Sequence, residues 1–203
     1  MPIRIDLTRR RLIAGLMGGA AISALAGPAA ALDVSAARTL VNHVVDAVNQ
    51  IINSGESENK MFADFEKVFA TYADVPIIAR SSLGIAARSA SPAQMKAYTE
   101  AFQGYISRKY GRRFREFIGG KITVTGAKPL NSFYEVLSTA KLRGQQPFDL
   151  RWWVSDKSGR FLFFNMIIDG VNMLATERTE IGSMLDQEHG NIEKLIAKLK
   201  VSG

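Results

Sequence analysis

The spacing of apolar residues changes twice along the chain, dividing it into helices, then strands, then helices. From Asp33 to Ser54, Val34, Ala37, Val41, Val44, Val45, Val48, Ile51 and Ile52 recur at steps of three and four, and Gly55 ends the pattern. Asn59–Tyr72 carries a second helical stripe of Met61, Phe65, Val68, Phe69 and Tyr72. Asp74-Val75-Pro76 signals a third start, with Asp74 near the cap and Pro76 in the first turn. The short, almost wholly apolar helix that follows contains Ile77, Ile78 and Leu83 and closes at Gly84. Ser91-Pro92-Ala93-Gln94 opens a fourth: a serine cap, a proline at the first helical position and a glutamine three residues on. This helix is expected to run to Ile118, with Tyr98, Phe102, Tyr105, Ile106, Tyr110, Phe114 and Phe117 along it. Gly104 and Gly111 interrupt it at a cost of about 1 kcal/mol each against alanine, so a bend or a close backbone approach is expected there.

After Gly119-Gly120 the period falls to two. Lys121–Ala127 and Ser132–Leu142 alternate, with Lys128-Pro129 as the expected turn. Pro147–Leu174 then reads as two strands joined at Ser155–Gly159, with a third short strand after Asp169-Gly170. Phe148, Leu150, Trp152 and Val154 fall on one face; Asp149, Arg151 and Trp153 fall on the other. Phe161–Ile168 is apolar on both faces apart from Asn165, so it needs cover on both sides. Asp169-Gly170 is a tight-turn signal, because a type I′ turn needs positive φ at both central residues. Thr179–Glu188 and Ile192–Val201 close the chain as two helices around Gly190. This order predicts an α+β domain: N-terminal helices packed on a twisted antiparallel sheet of four to five strands, followed by C-terminal helices.

The first thirty residues change the compartment expected. Arg4 and Arg9-Arg10-Arg11 precede an uncharged Leu12–Ala26 stretch that ends in Gly27-Pro28-Ala29-Ala30-Ala31. A basic head, a short apolar middle and an Ala-x-Ala close predict a secretory signal peptide over residues 1–31, leaving one domain over residues 32–203. Thr8-Arg9-Arg10-Arg11-Leu12-Ile13 also resembles a twin-arginine motif. The chain's net charge of +7 falls to +4 once that segment is removed, which takes most of the support from a nucleic-acid partner. No other segment reaches membrane-spanning length. With no cysteine, disulfides, thiolate metal sites and a thiol nucleophile are excluded.

Catalytic signatures are missing. His43 and His189 stand far apart without ligand-spaced partners and read as surface or capping residues. No HExxH, phosphate-cradling glycine loop, GxSxG elbow or dinucleotide fingerprint occurs. No catalytic residue, metal or cofactor is assigned. Arg108, Lys109, Arg112, Arg113 and Arg115 form the densest local charge, either a solvated helix face or a docking surface for anionic lipid or an acidic partner.

Residues 34–199 resemble the MlaC, or toluene-tolerance, family of periplasmic phospholipid carriers. The resemblance rests on Phe148, Leu150, Trp152 and Val154, on Gly170-Val171, and on Arg178-Thr179-Glu180. Asp74, Ala79-Arg80 before Leu83-Gly84, and Ser91-Pro92-Ala93-Gln94 extend it upstream. Departures fall at Asn165 (Asp in the family), Asp169 (Glu), Asn172 (Ser) and Ile181 (Phe). The resemblance implies a non-catalytic carrier with an apolar cavity between sheet and helices, a bound phospholipid as cargo, and transient contact with a membrane surface. It implies exchange with an inner-membrane ABC lipid transporter bearing an MCE-type subunit and with an outer-membrane lipoprotein–porin complex, maintaining outer-membrane lipid asymmetry. A monomer is the default expectation. Alternatives are a carrier of another apolar ligand, such as a hopanoid, and a ligand-free interaction domain. The residues expected to face the tails are Ile78, Leu83, Phe102, Tyr105, Ile106, Leu150, Trp152, Val154, Phe163 and Ile167. Arg108, Lys109, Arg112 and Arg113 are the docking or head-group candidates.

Overall fold

The computed structural model describes residues 27–203, without the side chains of 27–32 and 113–115. Residues 1–26 of the expected signal peptide lie outside the described residues. Four helices come first: α1 (Gly27–Ile52), α2 (Glu58–Tyr72), α3 (Val75–Leu83) and α4 (Pro92–Gly111). Five strands follow, β1 (Lys121–Leu130), β2 (Phe133–Lys141), β3 (Phe148–Ser155), β4 (Leu162–Ile168) and β5 (Val171–Asn172), and then α5 (Met173–Gln187) and α6 (Ile192–Val201). The sheet order is β1-β2-β3-β4-β5 with every neighbour antiparallel, a meander without crossovers. The α+β architecture is the one the change of period predicts.

The start signals act through the hydrogen bonds that make them signals. The Asp74 side chain accepts from the Ile77 N–H at the head of α3. Ser91 Oγ accepts from Gln94 N while Gln94 Oε1 accepts from Ser91 N, a complete capping box. At the Asp169-Gly170 turn both residues take positive φ, 48° and 80°.

Four boundaries differ from the sequence expectation. The α-helix α1 begins at Gly27, six residues before Asp33. The α-helical part of α4 stops at Gly111, and Arg112–Phe117 continues as a 3-10 helix. A Cβ on Gly111 would lie 3.0 Å from the Phe62 ring, so this glycine marks a close approach of α2 to α4. The β1–β2 turn lies at Asn131-Ser132, with Asn131 at φ 54°, and Pro129 sits inside β1 opposite Tyr134. Proline is tolerated there because β1 is an edge strand. Finally, α5 begins at Met173, six residues before Thr179, because the Asn172 side chain caps it by accepting from Ala175 N at 3.1 Å.

The core forms where α1 lies across the sheet. Ala37, Val41, Val44, Val45, Val48 and Ile52 are buried along one side of α1. They meet the face of the sheet that carries Ile122, Val136, Ala140, Leu150, Trp152 and Val154. Behind α1, α4 packs on α2, α3 and α6, and α5 closes on α3 and β4. The register of α1 on the sheet is set by one side chain. Asn49 Nδ2 donates to the Ile122 carbonyl and Asn49 Oδ1 accepts from the Ile122 N–H, both at 2.9 Å.

Replacing Asn49 by alanine strands both backbone groups of Ile122 at a part-buried position. We expect Asn49→Ala to destabilise the fold by about 2 kcal/mol in urea denaturation. Asn53→Ala, which removes a longer, 3.4 Å contact from an exposed side chain to the Gly120 carbonyl, should cost well under half of that.

Candidate functional site

Nine of the ten residues expected to face lipid tails lie in the continuous buried cluster: Ile78 and Leu83 of α3, Phe102, Tyr105 and Ile106 of α4, Leu150, Trp152 and Val154 of β3, and Phe163 of β4. They form two groups rather than one wall. On the sheet, Trp152 meets Phe163 edge-on at 5.4 Å between ring centroids, and Phe163 meets Phe69 of α2 at 6.2 Å. Within α4, Tyr98, Phe102 and Tyr105 follow one another at 5.8 and 6.4 Å. Helix α4 packs on the other helices, and α1 is the helix spread over the sheet. All nine side chains are at most 8% exposed, so the expected cavity between sheet and helices is closed by the side chains themselves.

Ile167 is placed elsewhere. Between Trp153 and Val154 the register with β4 slips by one residue, leaving Phe164 as a bulge. Val154 therefore pairs with Phe163, whereas Ile167 pairs with the exposed Arg151 on the opposite face. In an unbroken strand residues 163 and 167 would share a face. Phe164 instead joins Phe133 and Trp153, at 5.3 and 6.1 Å, in a half-buried aromatic cluster on the far side of the sheet. Phe161–Ile168 is thus buried on the helix side at Phe163 and only half-covered on the far side, where Phe164 and Ile167 lie.

The seam between the sheet and the helices is tied at one end by polar contacts. Asp74 N donates to the Phe163 carbonyl at 2.8 Å, and Ser158 Oγ of the β3–β4 turn donates to the Asp74 carboxylate. The indole N–H of Trp152 is satisfied by Ser138 Oγ at 3.0 Å. In the middle of β4, Asn165 Oδ1 accepts from Met166 N and Leu174 N while its amide donates to Asn172 Oδ1.

A polar seam that the sequence did not single out runs between α4 and α5. Glu177, 3% exposed, accepts from Lys109 Nζ at 2.7 Å and from the Tyr110 hydroxyl. Glu180 accepts from the Tyr105 hydroxyl at 2.7 Å and from Lys109. The Lys109 ammonium also stands 5.5 and 5.4 Å from the Tyr105 and Tyr110 ring centres. Ser82 Oγ donates to the Ala79 carbonyl, so the Tyr98 hydroxyl 2.8 Å away donates to Ser82. The only signal for this seam in the sequence was the three-residue spacing of Glu177 and Glu180, which puts both carboxylates on one side of α5.

Two of the four docking candidates have internal partners. Arg108 Nε donates to the Ser202 carbonyl at 2.9 Å, and the same guanidinium reaches the Leu199 carbonyl, closing the C-terminal end of α6. Lys109 belongs to the polar seam. Arg112 is exposed, and the Arg113 side chain lies outside the described residues. His43 is exposed on α1, and His189 takes positive φ, 54°, in the turn between α5 and α6. Among the described residues no group of His, Asp and Glu is arranged to hold a metal, and no helix is long and apolar enough to cross a membrane.

The family model for the MlaC protein matches residues 42–201 of the chain. The fold is also that of a solved structure of a phospholipid-binding protein from Ralstonia solanacearum, in complex with a phospholipid. The TM-score is 0.68 at 18% sequence identity, covering 80% of this chain and 94% of that one.

The phenols of the polar seam make stability sensitive to alkali. Burial, first, and the neighbouring Glu177 and Glu180 charges hold Tyr105 and Tyr110 far above the ordinary tyrosine range; burial does the same to Tyr98, opposed by its bond to Ser82. Raised values in the folded state mean that this stabilisation is complete below the unfolded value of about 10 and is lost as pH rises beyond it. We expect tyrosinate absorbance from these three residues to appear together with unfolding, not before it, in a titration above pH about 10.

Proposed function

Because the chain belongs to the MlaC family, we propose that it is a lipid carrier of the periplasm, which takes phospholipid acyl chains between its sheet and its helices. In this reading residues 1–31 direct export and residues 32–203 form the carrier. It exchanges lipid between the outer membrane and an inner-membrane ABC lipid transporter with an MCE-type subunit, and needs no catalytic group. The observation that carries the proposal is the buried seam where Phe69, Trp152 and Phe163 meet, continuous with the α3 and α4 side chains behind it.

The task is one of partition. Two sixteen-carbon tails hold roughly 30 methylene and methyl groups at about 0.8 kcal/mol each, so a gross cost on the order of 20 kcal/mol opposes their passage through water. A closed apolar seam that parts to admit the tails exchanges side chain–side chain contacts for side chain–lipid contacts. It leaves little apolar surface in water at either stage. The ties at Asp74 are the local bonds that such parting on the β4 side would break.

The closed interior favours a second reading, an interaction domain with a filled core and no ligand. Native mass spectrometry of protein purified from the periplasm without detergent separates the two. The carrier reading expects an adduct with the mass of a diacyl phospholipid; a hopanoid mass changes the cargo, and a polypeptide that stays bare after incubation with liposomes sinks the carrier.

The location of the tails has its own test, since the chain has only two tryptophans, Trp152 and Trp153. In a Trp153→Phe variant the remaining indole lies in the proposed seam. Phospholipid brominated on the acyl chains should quench it strongly, while lipid brominated on the head group should not. Absence of acyl-chain quenching in a lipid-loaded protein would place the tails elsewhere.

A further inference from the structure

The surface over the end of α3 combines features that lie apart from the basic run on α4. A 3-10 turn over Gly84–Arg88 lifts Ile85 out of the fold, leaving it 76% exposed. Ile77, higher on α3, is 43% exposed. Beside the turn lies an open hollow of about 300 Å³ lined by Arg80, Ser81, Gly84, Ile85, Ala87, Arg88 and Arg178. Three side chains of that lining are cationic and none is a carboxylate. The three arginines are exposed, and none has a hydrogen-bond or ion-pair partner among the described residues.

The hollow is shaped by its backbone. Gly84 adopts φ 65°, and a Cβ there would lie 3.3 Å from Arg178 Nε. Glycine therefore provides both the turn and the room for the α5 arginine to lie against it. The result gathers cations from α3, the 3-10 turn and α5 at one place, around a projecting aliphatic side chain.

We propose that this surface docks the protein on an anionic phospholipid bilayer, with Ile85 entering the acyl boundary and Arg80, Arg88 and Arg178 meeting lipid phosphates. Charge complementarity selects the occupant. An acidic protein surface would satisfy the arginines but gives no reason for an isoleucine raised among them, whereas a bilayer interface takes an apolar tip and a ring of cations together. The inference rests on the carrier reading for its purpose, because a carrier that exchanges lipid must approach a bilayer. Its test reads surface binding and cargo separately.

The test is co-sedimentation of the purified protein with vesicles of phosphatidylethanolamine and phosphatidylglycerol, against vesicles of phosphatidylcholine alone. Binding is expected on the anionic vesicles only and should weaken with salt. Each arginine changed to glutamine should lower partitioning about fivefold. Since Arg178 packs on Gly84, the deciding variant is Ile85→Ser with Arg88→Gln, which removes only exposed groups; Lys121→Gln, exposed at the start of β1, should leave binding unchanged. Equal binding by the double variant, equal binding to neutral vesicles, or no binding by the wild type would each overturn the proposal. Native mass spectrometry of the same samples keeps the two readings apart. A protein that holds lipid but ignores vesicles overturns the docking surface alone, while one that binds vesicles through Ile85 and Arg88 yet never holds lipid overturns the carrier alone.

Discussion

A helix laid over a sheet by apolar contact alone has no strong reason to stop at one position, because hydrophobic attraction is non-directional. In this fold the missing direction comes from Asn49. Its amide reads both backbone groups of Ile122 as a neighbouring strand would, fixing α1 against the first residues of β1. The meander continues from there without a crossover, so the placement of β1 carries through β2, β3 and β4. Which side chains face the helices follows from that anchoring together with the strand pairing and the bulge at Phe164.

The sequence made β3 legible because its alternation is unbroken: Leu150, Trp152 and Val154 are buried and Asp149 and Arg151 are exposed. β4 was not legible in the same way. A run apolar on both faces contains no parity, and nothing in its composition marks Phe164 as the bulge that sends Ile167 to the far side. Pro129 misled for a different reason, since the rule that bars proline from strands is relaxed at an edge, and edge position is a property of the whole sheet. The basic run shows a third limit. Charge density along α4 does not say that Arg108 reaches the carbonyls of α6 or that Lys109 lies between two carboxylates. Those partners come from a segment some seventy to ninety residues away in the chain.

Two of the positions where the sequence departs from the pattern it resembles lie together in the structure. The Asn165 amide donates to the Asn172 side-chain oxygen, joining β4 to the start of α5. Asn172 Oδ1 caps the helix in the same arrangement. An ionised carboxylate at 165 could only accept, so a bond in this direction needs the amide.

The edges of the sheet have a consequence for how the molecule behaves in company. On one side β1 carries a bulge at Thr125, lysines at 121 and 128, and Pro129, which offers no N–H to an incoming strand. On the other, β5 is two residues long, and the Ala73–Asp74 junction bonds to the Phe163 carbonyl where β4 would otherwise lie open. Neither border invites another chain to add a strand. Concentrated copies are thus expected to collide without polymerising edge to edge, and a partner is not expected to bind by adding a strand.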